Sequence, residues 1–517
     1  MTLLEELAGW AGRLTLDQVP ERVVRTARSQ VLSQLAAVRA GLGHPLGEAV
    51  VAAFGPPLQP DAKQSACVLA GLSAWLQMDD TAYAGHLSNS TVNVPLAHAL
   101  ASGADGRALL TAVIAANECA ARLTAAATLG PFRGQSATHT HLAGAVAGRL
   151  HLAGADRQQW VDAWALAFGM PPRVIAPAFL ASDTKVFNAF TPVRAALDAC
   201  DAARAGLGGA ADVIEHPDGF LARFASVPLP EVVTSGLGRT WHTDTLSFKV
   251  HPGGPGVDSA VDCAAELARE LGPLRPEDVE EIVVHTSWYS VFVDQRTRDL
   301  VEGPGTPVSV LVVSLPYTLA TTLLTGQLLP ADFAGDRLAD PGRWELARRV
   351  RVLHDPRMTR DSFRSEVPFG AALRLAGPRA AQWEFGKPGQ DLASLGLADL
   401  LDGLGPPPES FAEATKVTGA RVVVRLRDGR TATRQRDIPL GAAGPHTRAH
   451  HAALVREKFL STAGPPEVAD GLAEVDRLPA DRLARLVEAA LRPPFTLAPS
   501  APIAPGLHRR AGAQPVQ

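Results

Sequence analysis

The 517-residue chain is 46% hydrophobic but only 5% aromatic, and its formal net charge is −4. That length implies two or three domains with ample core, packed by alanine, leucine and valine, which favours close-packed helices over an aromatic-rich β-sandwich. Interspersed charges leave no basic field for nucleic acid, and no apolar run approaches the roughly 20 residues that cross a bilayer. Four cysteines (Cys67, Cys119, Cys200, Cys263) lie far apart in alanine-rich helical patterns and read as small core residues. The chain opens on Met1-Thr-Leu-Leu-Glu-Glu, which reads as an acidic helix start rather than a signal peptide. The expectation is a soluble, reduced, cytoplasmic protein with no nucleic-acid or membrane partner.

Residues 1–246 read as helix after helix. Pro20 suits a helix start, Val24, Ala27, Val31, Leu35 and Val38 follow at three- and four-residue steps, and Gly41, Gly43 and Pro45 stop the run. Asp105-Gly-Arg opens another helix, carrying Leu110, Val113, Ile114 and Asn117 on one side. Glu118 and Arg122 form an i,i+4 pair there, suited equally to a helix surface and to a site. Near Leu246 the pattern changes. A helix with Val257, Ala260, Ala264, Leu267 and Leu271 in register precedes strand-like runs at Ile282–Thr286 and Val350–Leu353, with a helix at Ser314–Leu324 between them. A hairpin follows at Ala420–Thr433, turning on Asp428-Gly429. Helical pattern resumes over Pro445–Leu491. The chain is therefore expected to be mainly α: a large all-helical domain built from both chain ends (1–246 and 444–492) and a smaller inserted α+β lid (247–443). The Pro-, Ala- and Gly-rich residues 493–517 are expected to be a disordered tail.

Chemistry concentrates in Leu76-Gln-Met-Asp-Asp-Thr-Ala-Tyr-Ala-Gly-His-Leu-Ser-Asn-Ser90, which places two carboxylates, several hydroxyls and an imidazole between alanine-rich runs. Polar groups so placed are costly to bury unless paired or employed. Asp79, Asp80 and Thr81 also suit a helix cap, and His86 alone also suits a hydrogen-bonded core. Lys185 enters an alanine-rich helix at the end where the dipole favours anions, which suits a bound carboxylate as well as a solvated surface. Lys249 stands in Phe248-Lys-Val-His-Pro-Gly-Gly-Pro-Gly, a loop lacking the Gly-Lys-Ser/Thr of a phosphate cradle. His139 and His141 are two residues apart, hence on different sides of a helix, and no third ligand is near; no metal is expected. No nucleophile-elbow, zinc-protease or dinucleotide motif is present.

In these residues the chain resembles the MmgE/PrpD family, which includes 2-methylcitrate dehydratase, cis-aconitate decarboxylase and iminodisuccinate epimerase. Asp79-Asp-Thr with His86 is similar to the family's Asp-Asp-Thr…His-Pro-Ser segment. Asn117-Glu-Cys-Ala-Ala-Arg-Leu resembles its Tyr-Glu-Val-Ala-Ala-Arg-Ile helix, and Ser182-Asp-Thr-Lys185 its lysine motif. Phe248-Lys249-Val-His-Pro252 resembles Lys-x-Tyr/Phe-Pro. Ser314-Leu-Pro-Tyr317 matches Phe-Ser-Leu-Pro-Tyr, and Arg349-Val-Arg-Val-Leu-His-Asp-Pro resembles a strand of the small domain. The resemblance implies a cleft between the helical domain and the lid, a homodimer, and no metal or organic cofactor. It also implies site residues: His86, Lys185, Lys249, Tyr317 and Asp80 in catalysis, with Thr81, Gln77, Arg133 and His251 binding substrate.

The departures count too. The family's acid three residues before the second Asp is here Gln77, and Leu87 replaces its proline. The spacing from Thr81 to His86 is one residue shorter than in cis-aconitate decarboxylase. Arg133 stands where that decarboxylase has histidine, and the histidine or cysteine expected five residues after Lys249 is Gly254, with His251 as a candidate to compensate. About 60 extra residues, roughly 360–418, precede the hairpin, and loops of that length beside a cleft usually cover or reshape it. The expected activity is a cofactor-independent lyase (dehydratase or decarboxylase) on a carboxylated small molecule altered from a simple tricarboxylate, working through a carbanion or enolate. An isomerase or epimerase, and a non-catalytic carboxylate-binding descendant, remain open alternatives.

Overall fold

The computed structural model describes residues 1–492 apart from 83–84, 133–134, 255 and 387–388. Arg133 and the expected tail at 493–517 lie outside the described residues. The protein is mostly helical with two small sheets.

Helix α1 (Glu21–Leu42) starts where Pro20 fixes the entering backbone, and its apolar face is fully buried. The same helix buries Gln30, Ser33 and Gln34, so a polar stripe faces inward too. Helix α2 (Ala62–Leu72) is capped by Asp61, and α3 (Gly106–Ala126) by Asp105, which accepts from the Ala108 amide at 2.8 Å. Helix α4 (Gln135–Leu152) packs between α3 and α5 (Phe187–Arg204), and α5 continues onto α2. Glycines allow this closeness: a Cβ on Gly148 would meet Pro95 Cγ at 2.7 Å, and one on Gly144 would meet Thr91 Cγ2 at 2.6 Å. The four cysteines are free and buried in this alanine-rich packing and in α6 below. Contrary to the sequence expectation, α3 is long and apolar enough to cross a bilayer, but 94% of that stretch is buried by its neighbours.

After α6 (Asp258–Leu271) come β3 (Val279–Thr286), α7 (Trp288–Arg298), α8 (Leu315–Thr325) and β4 (Val350–His354). Then come α9 (Pro356–Arg364), α10 (Gly370–Ala376), and the hairpin of β5 (Ala420–Leu426) and β6 (Thr431–Arg436). The four strands run in the order β4-β3-β5-β6, with only β3–β4 parallel, and α6 covers β5 and β6. Gly429 takes φ +90° in the hairpin turn, a conformation that glycine adopts without strain. The first sheet is a two-residue ribbon, β1 (Thr81–Ala82) and β2 (Gly85–His86), described with the site below.

The stretch 360–418, whose first residues up to 375 run without a break through α9 and α10, has a second core. Phe363, Phe369, Trp383, Phe385, Leu397 and Leu400 cluster there, and they pack onto Leu129, Val227 and Leu229 from the helical part. Finally α11 (Pro445–Ser461) packs along α1, followed by α12 (Pro466–Leu472) and α13 (Ala480–Leu491). Arg39 of α1 fixes this return by donating to the carbonyls of Ala463 at 2.7 Å, Thr462 at 3.1 Å and Ala490.

Glu118 and Arg122 are not a surface pair, because both side chains are fully buried. Glu118 accepts from the amides of His242 (2.9 Å) and Thr243 (2.8 Å) and from the Thr243 hydroxyl (2.7 Å), while Arg122 donates to the carbonyls of Ser235 (2.7 Å) and Thr240 (2.8 Å). Together they fasten the 232–243 connection to α3. Glu118→Ala strands a buried guanidinium and two amides, so urea unfolding is expected to show a loss of about 3–5 kcal/mol; a loss below about 1 kcal/mol contradicts this role.

Candidate active site

The segment 77–87 leaves α2 as a loop and returns through the β1–β2 ribbon, which pairs Thr81 directly with His86. Thr81 also exchanges two backbone hydrogen bonds with Ser247, at 3.0 and 2.9 Å. Phe248 in turn donates its amide to Gly441, and the Ala443 amide donates to Ser247 Oγ. The strip carrying Lys249 is therefore held between the Asp79–Thr81 loop and the chain leading into α11. That clamp brings residues more than 150 positions apart in sequence onto one site.

The adjacent carboxylates are both fully buried and have different partners. Asp80 accepts from Ser33 (2.6 Å) and Ser88 (3.0 Å), with Lys458 Nζ at 3.7 Å. Lys458 also donates to Ser33 at 2.7 Å and to the Met78 carbonyl. Burial still pushes the Asp80 carboxyl up to about 6, against the pull of Lys458 and the two hydroxyls. Asp79 accepts from His86 Nδ1–H (2.7 Å) and from Asn89 (3.1 Å), while its Oδ1 is buried with no hydrogen-bond partner. Burial opposes its charge, but His86 first, then Lys249 and His141, bring it to about 2. Asp80, expected in catalysis, is thus a buried counter-ion of Lys458, and the carboxylate that orients His86 is Asp79, one residue earlier.

His86 is neutral. Burial takes it down to about 4, Asp79 opposes this, and the charges of Lys249 and Lys185 add to it. With Nδ1–H committed to a carboxylate, Nε2 carries the lone pair, which is the arrangement of an oriented general base. Burial also takes His141 down, to about 3, and its Nδ1 lies 3.2 Å from Ser90 Oγ.

Four buried lysines converge on this pair, Lys185 and Lys458 each 2% exposed, Lys249 and Lys416 each 4%. Lys249 donates to the carbonyls of Gln77 (2.8 Å) and Gly253 (3.0 Å). Gln77 takes φ +52° to present that carbonyl, a left-handed conformation costing a non-glycine residue about 1–2 kcal/mol. Lys185 lies 3.8 Å from the Phe179 ring centroid. Lys416 donates to Thr81 Oγ1 at 3.2 Å. Among the described residues, neither Lys185 nor Lys416 has a carboxylate within ion-pairing distance. Burial accordingly lowers Lys185 to about 7 and Lys416 to about 8; Asp79 and Asp258 respectively oppose this, and Lys249 adds to it in both. Two buried ammoniums without a paired carboxylate suit an anionic guest.

Lys185, Lys249, Thr81 and His86 are therefore brought together. Gln77 joins through its carbonyl, not as an extra acid. His251 lies 3.8 Å from Asp262 and beside Asp258, so it belongs to the rim of the same network, and its charged form is favoured by Asp262 and Asp258 against burial. Tyr317 is not tied to these groups: its hydroxyl donates to the Asp332 carbonyl, and its ring packs on Trp344 (5.0 Å) and Phe333 (5.7 Å) in the α8 region. Tyr289 of α7 is pushed up to about 12 by burial and by Asp258. Sequence reasoning also missed Asp79 as the histidine's partner, Lys416 and Lys458. A lysine inside an otherwise apolar helical register was the available signal for Lys458. For Lys416 there was none.

The glycine-rich loop after Lys249 is shaped by close approach. A Cβ at Gly254 would meet Val313 Cγ1 at 2.4 Å and Gln77 Oε1 at 3.2 Å, and one at Gly256 would meet Ser290 Oγ at 2.8 Å. Among the described residues, no group of three or more His, Cys, Asp or Glu is placed to hold a metal ion.

Residues 5–232 match the MmgE/PrpD N-terminal domain, and residues 251–375 match the MmgE/PrpD C-terminal domain. No curated protein matches the chain. The first match contains Asp79, Thr81, His86 and Lys185; Lys416 and Lys458 lie beyond both.

Because Lys185 and Lys416 lose their protons near pH 7 and 8, affinity for succinate, measured by titration calorimetry, is expected to fall as pH rises through about 7 to 9. Without ligand the sign reverses for stability. Both folded-state values lie below the ordinary 10.5, so the unfolded chain binds more protons, and these groups make the fold more stable as pH rises from about 7 toward 10.5. Succinate affinity that is flat or rising across this range contradicts the assignment.

Proposed function

The chain belongs to the MmgE/PrpD family, which is associated with dehydratase- and lyase-type activity on small acids, and from that premise we propose a lyase that acts on a carboxylated small molecule with its own side chains. The observation that carries the proposal is the neutral His86 held by Asp79 next to the carboxylate-free ammonium of Lys185.

In this reading the Lys185 and Lys249 ammoniums hold a substrate carboxylate, and His86 Nε2 removes a proton from the carbon beside it. The electron pair delocalises into the carboxylate as an enolate, stabilised by the same ammoniums. Asp79 stabilises the imidazolium that forms without itself taking the proton. The imidazolium then returns the proton to a departing β-hydroxyl, releasing water and leaving an alkene. In the decarboxylating version the carbon–carboxylate bond breaks first, carbon dioxide leaves, and the carbanion takes a proton from the Lys185 ammonium, which solvent then restores. The oriented base serves the dehydrating course and the ammoniums serve both. Epimerisation through the same intermediate needs a second proton donor on the opposite face.

Incubation with β-hydroxy and unsaturated di- and tricarboxylic acids, following alkene absorbance and carbon dioxide, tests this directly. Deuterium uptake from solvent without loss of water or carbon dioxide would instead identify an isomerase, and binding with no turnover a carboxylate-binding descendant. Lys185→Ala is expected to abolish turnover with the circular dichroism spectrum unchanged. Asp79→Asn is expected to lower kcat about 10²- to 10⁴-fold with a smaller change in KM, because the wrong imidazole tautomer is then favoured. Full activity in either variant would refute the assignment.

A further inference from the structure

We infer that Lys416, carried by the chain's added segment, is a substrate-binding residue that holds a second carboxylate of the substrate and thereby sets specificity for acids charged at both ends. The inference rests on the carboxylate-lyase reading above and goes beyond it in naming a residue outside both matched family domains.

The first observation is placement. Lys416 is 4% exposed, yet its only hydrogen-bond acceptor among the described residues is the Thr81 hydroxyl at 3.2 Å. An ammonium has three donors, so capacity remains for an acceptor in the cleft. The second is rigidity. The Lys416 amide donates to Ala443 at 2.9 Å, and Val367 donates to the Thr415 carbonyl at 3.1 Å. On either side, the Thr415 amide donates to Glu366 at 2.9 Å and Arg448 donates to the Ala414 carbonyl at 2.8 Å. The backbone under Lys416 is pinned to the 366–367 strip and to the chain entering α11, so the side chain reaches Thr81 from a fixed base. Lysines that merely decorate a loop are not fastened this way.

The third observation is charge geometry. Lys416 meets the Thr81 hydroxyl at 3.2 Å, whereas Lys185 stands over the Phe179 ring at 3.8 Å from its centroid, and among the described residues the two share no hydrogen-bond partner. Two ammoniums without a paired carboxylate thus give two anchor points. Burying like charges beside each other is unfavourable to the empty protein and becomes favourable when an anion enters at each end. A guest with carboxylates at two ends satisfies both points; a monocarboxylate satisfies one.

The test compares binding of butyrate, succinate, glutarate and adipate to wild type, Lys416→Met and Lys416→Arg by titration calorimetry. Wild type is expected to bind at least one diacid more tightly than butyrate. In Lys416→Met that diacid is expected to weaken by about ten- to a hundredfold with butyrate unchanged, and Lys416→Arg to recover part of the loss. Methionine matches the length of the stem and removes a charge that has no ion pair, so the ligand-free melting temperature is expected to hold or rise; Lys416→Gln provides the same comparison should methionine disturb the packing. Diacid affinity unchanged in Lys416→Met, or butyrate and diacid weakened equally, overturns the role of Lys416 and leaves the lyase reading standing. Failure of wild type to bind any of the four acids overturns both.

Discussion

Everything at this site follows from two neighbouring carboxylates that are both removed from water. Adjacent buried acids cannot share one environment, since their mutual repulsion would drive one to take up a proton. Here the chain separates their surroundings. Asp80 turns toward α1 and α11, where Ser33, Ser88 and Lys458 meet it, and Asp79 turns toward His86 and Asn89. The polar stripe of α1 is thus part of the chemistry. Gln30 links Ser88 to Asn117, and Gln34 donates to Asn89, so the groups that hold the carboxylates are themselves held. The carboxy-terminal helices are needed for the same reason, because Lys458 arrives from α11. The return of the chain to α1 is therefore an electrostatic requirement of the Asp79–Thr81 loop as well as a packing solution.

With Asp80 committed, the remaining charges do not balance. Asp79 faces Lys185 and Lys249, and Asp258 faces Lys249, Lys416 and His251. Burying an unpaired ammonium costs several kcal/mol, which the fold sustains through clamps that do not depend on the guest. The Ser247–Thr81 pairing, the Phe248–Gly441 contact and the Lys416–Ala443 contact are all backbone hydrogen bonds. Stability is thus supplied by main chain and by apolar packing, leaving the lysine side chains poised for an anion. Preorganisation of this kind is the usual source of electrostatic stabilisation of a developing negative charge.

Much of the helical framework was legible because apolar spacing and caps are local signals. The starts of α1 and α3, the helix beginning at Asp258, the cap at Ser314 and the turn at Gly429 all lie where Pro20, Asp105, the Val257 register, Ser314 and Asp428-Gly429 place them. The polar loop at 76–90 was also legible, because so many hydrogen-bonding groups between apolar runs demand burial with partners. What spacing cannot reveal is direction. Nothing in Asp79-Asp80 distinguishes the acid that serves His86 from the one that serves Lys458, since that depends on strands and helices hundreds of residues away. Tyr317 shows the converse: a motif tyrosine whose hydroxyl is captured by a carbonyl of its own neighbourhood. Spacing left Glu118 and Arg122 open between a helix surface and a site, because i,i+4 spacing is the same on a buried face as on a wet one.

The departures from the family pattern acquire a common meaning once Gln77 and Gly254 are seen to touch. The space that a side chain at 254 would need is filled chiefly by Val313, with the Gln77 amide at its edge, so the two positions share one packing arrangement. Neither position offers Lys249 an ionisable side chain. The backbone carbonyls of Gln77 and Gly253 meet that ammonium instead. Lys416, from the stretch before the β5–β6 hairpin, brings to Thr81 an ammonium with no carboxylate paired to it among the described residues, and the same stretch is anchored by the cluster of Phe363, Phe369, Trp383 and Phe385.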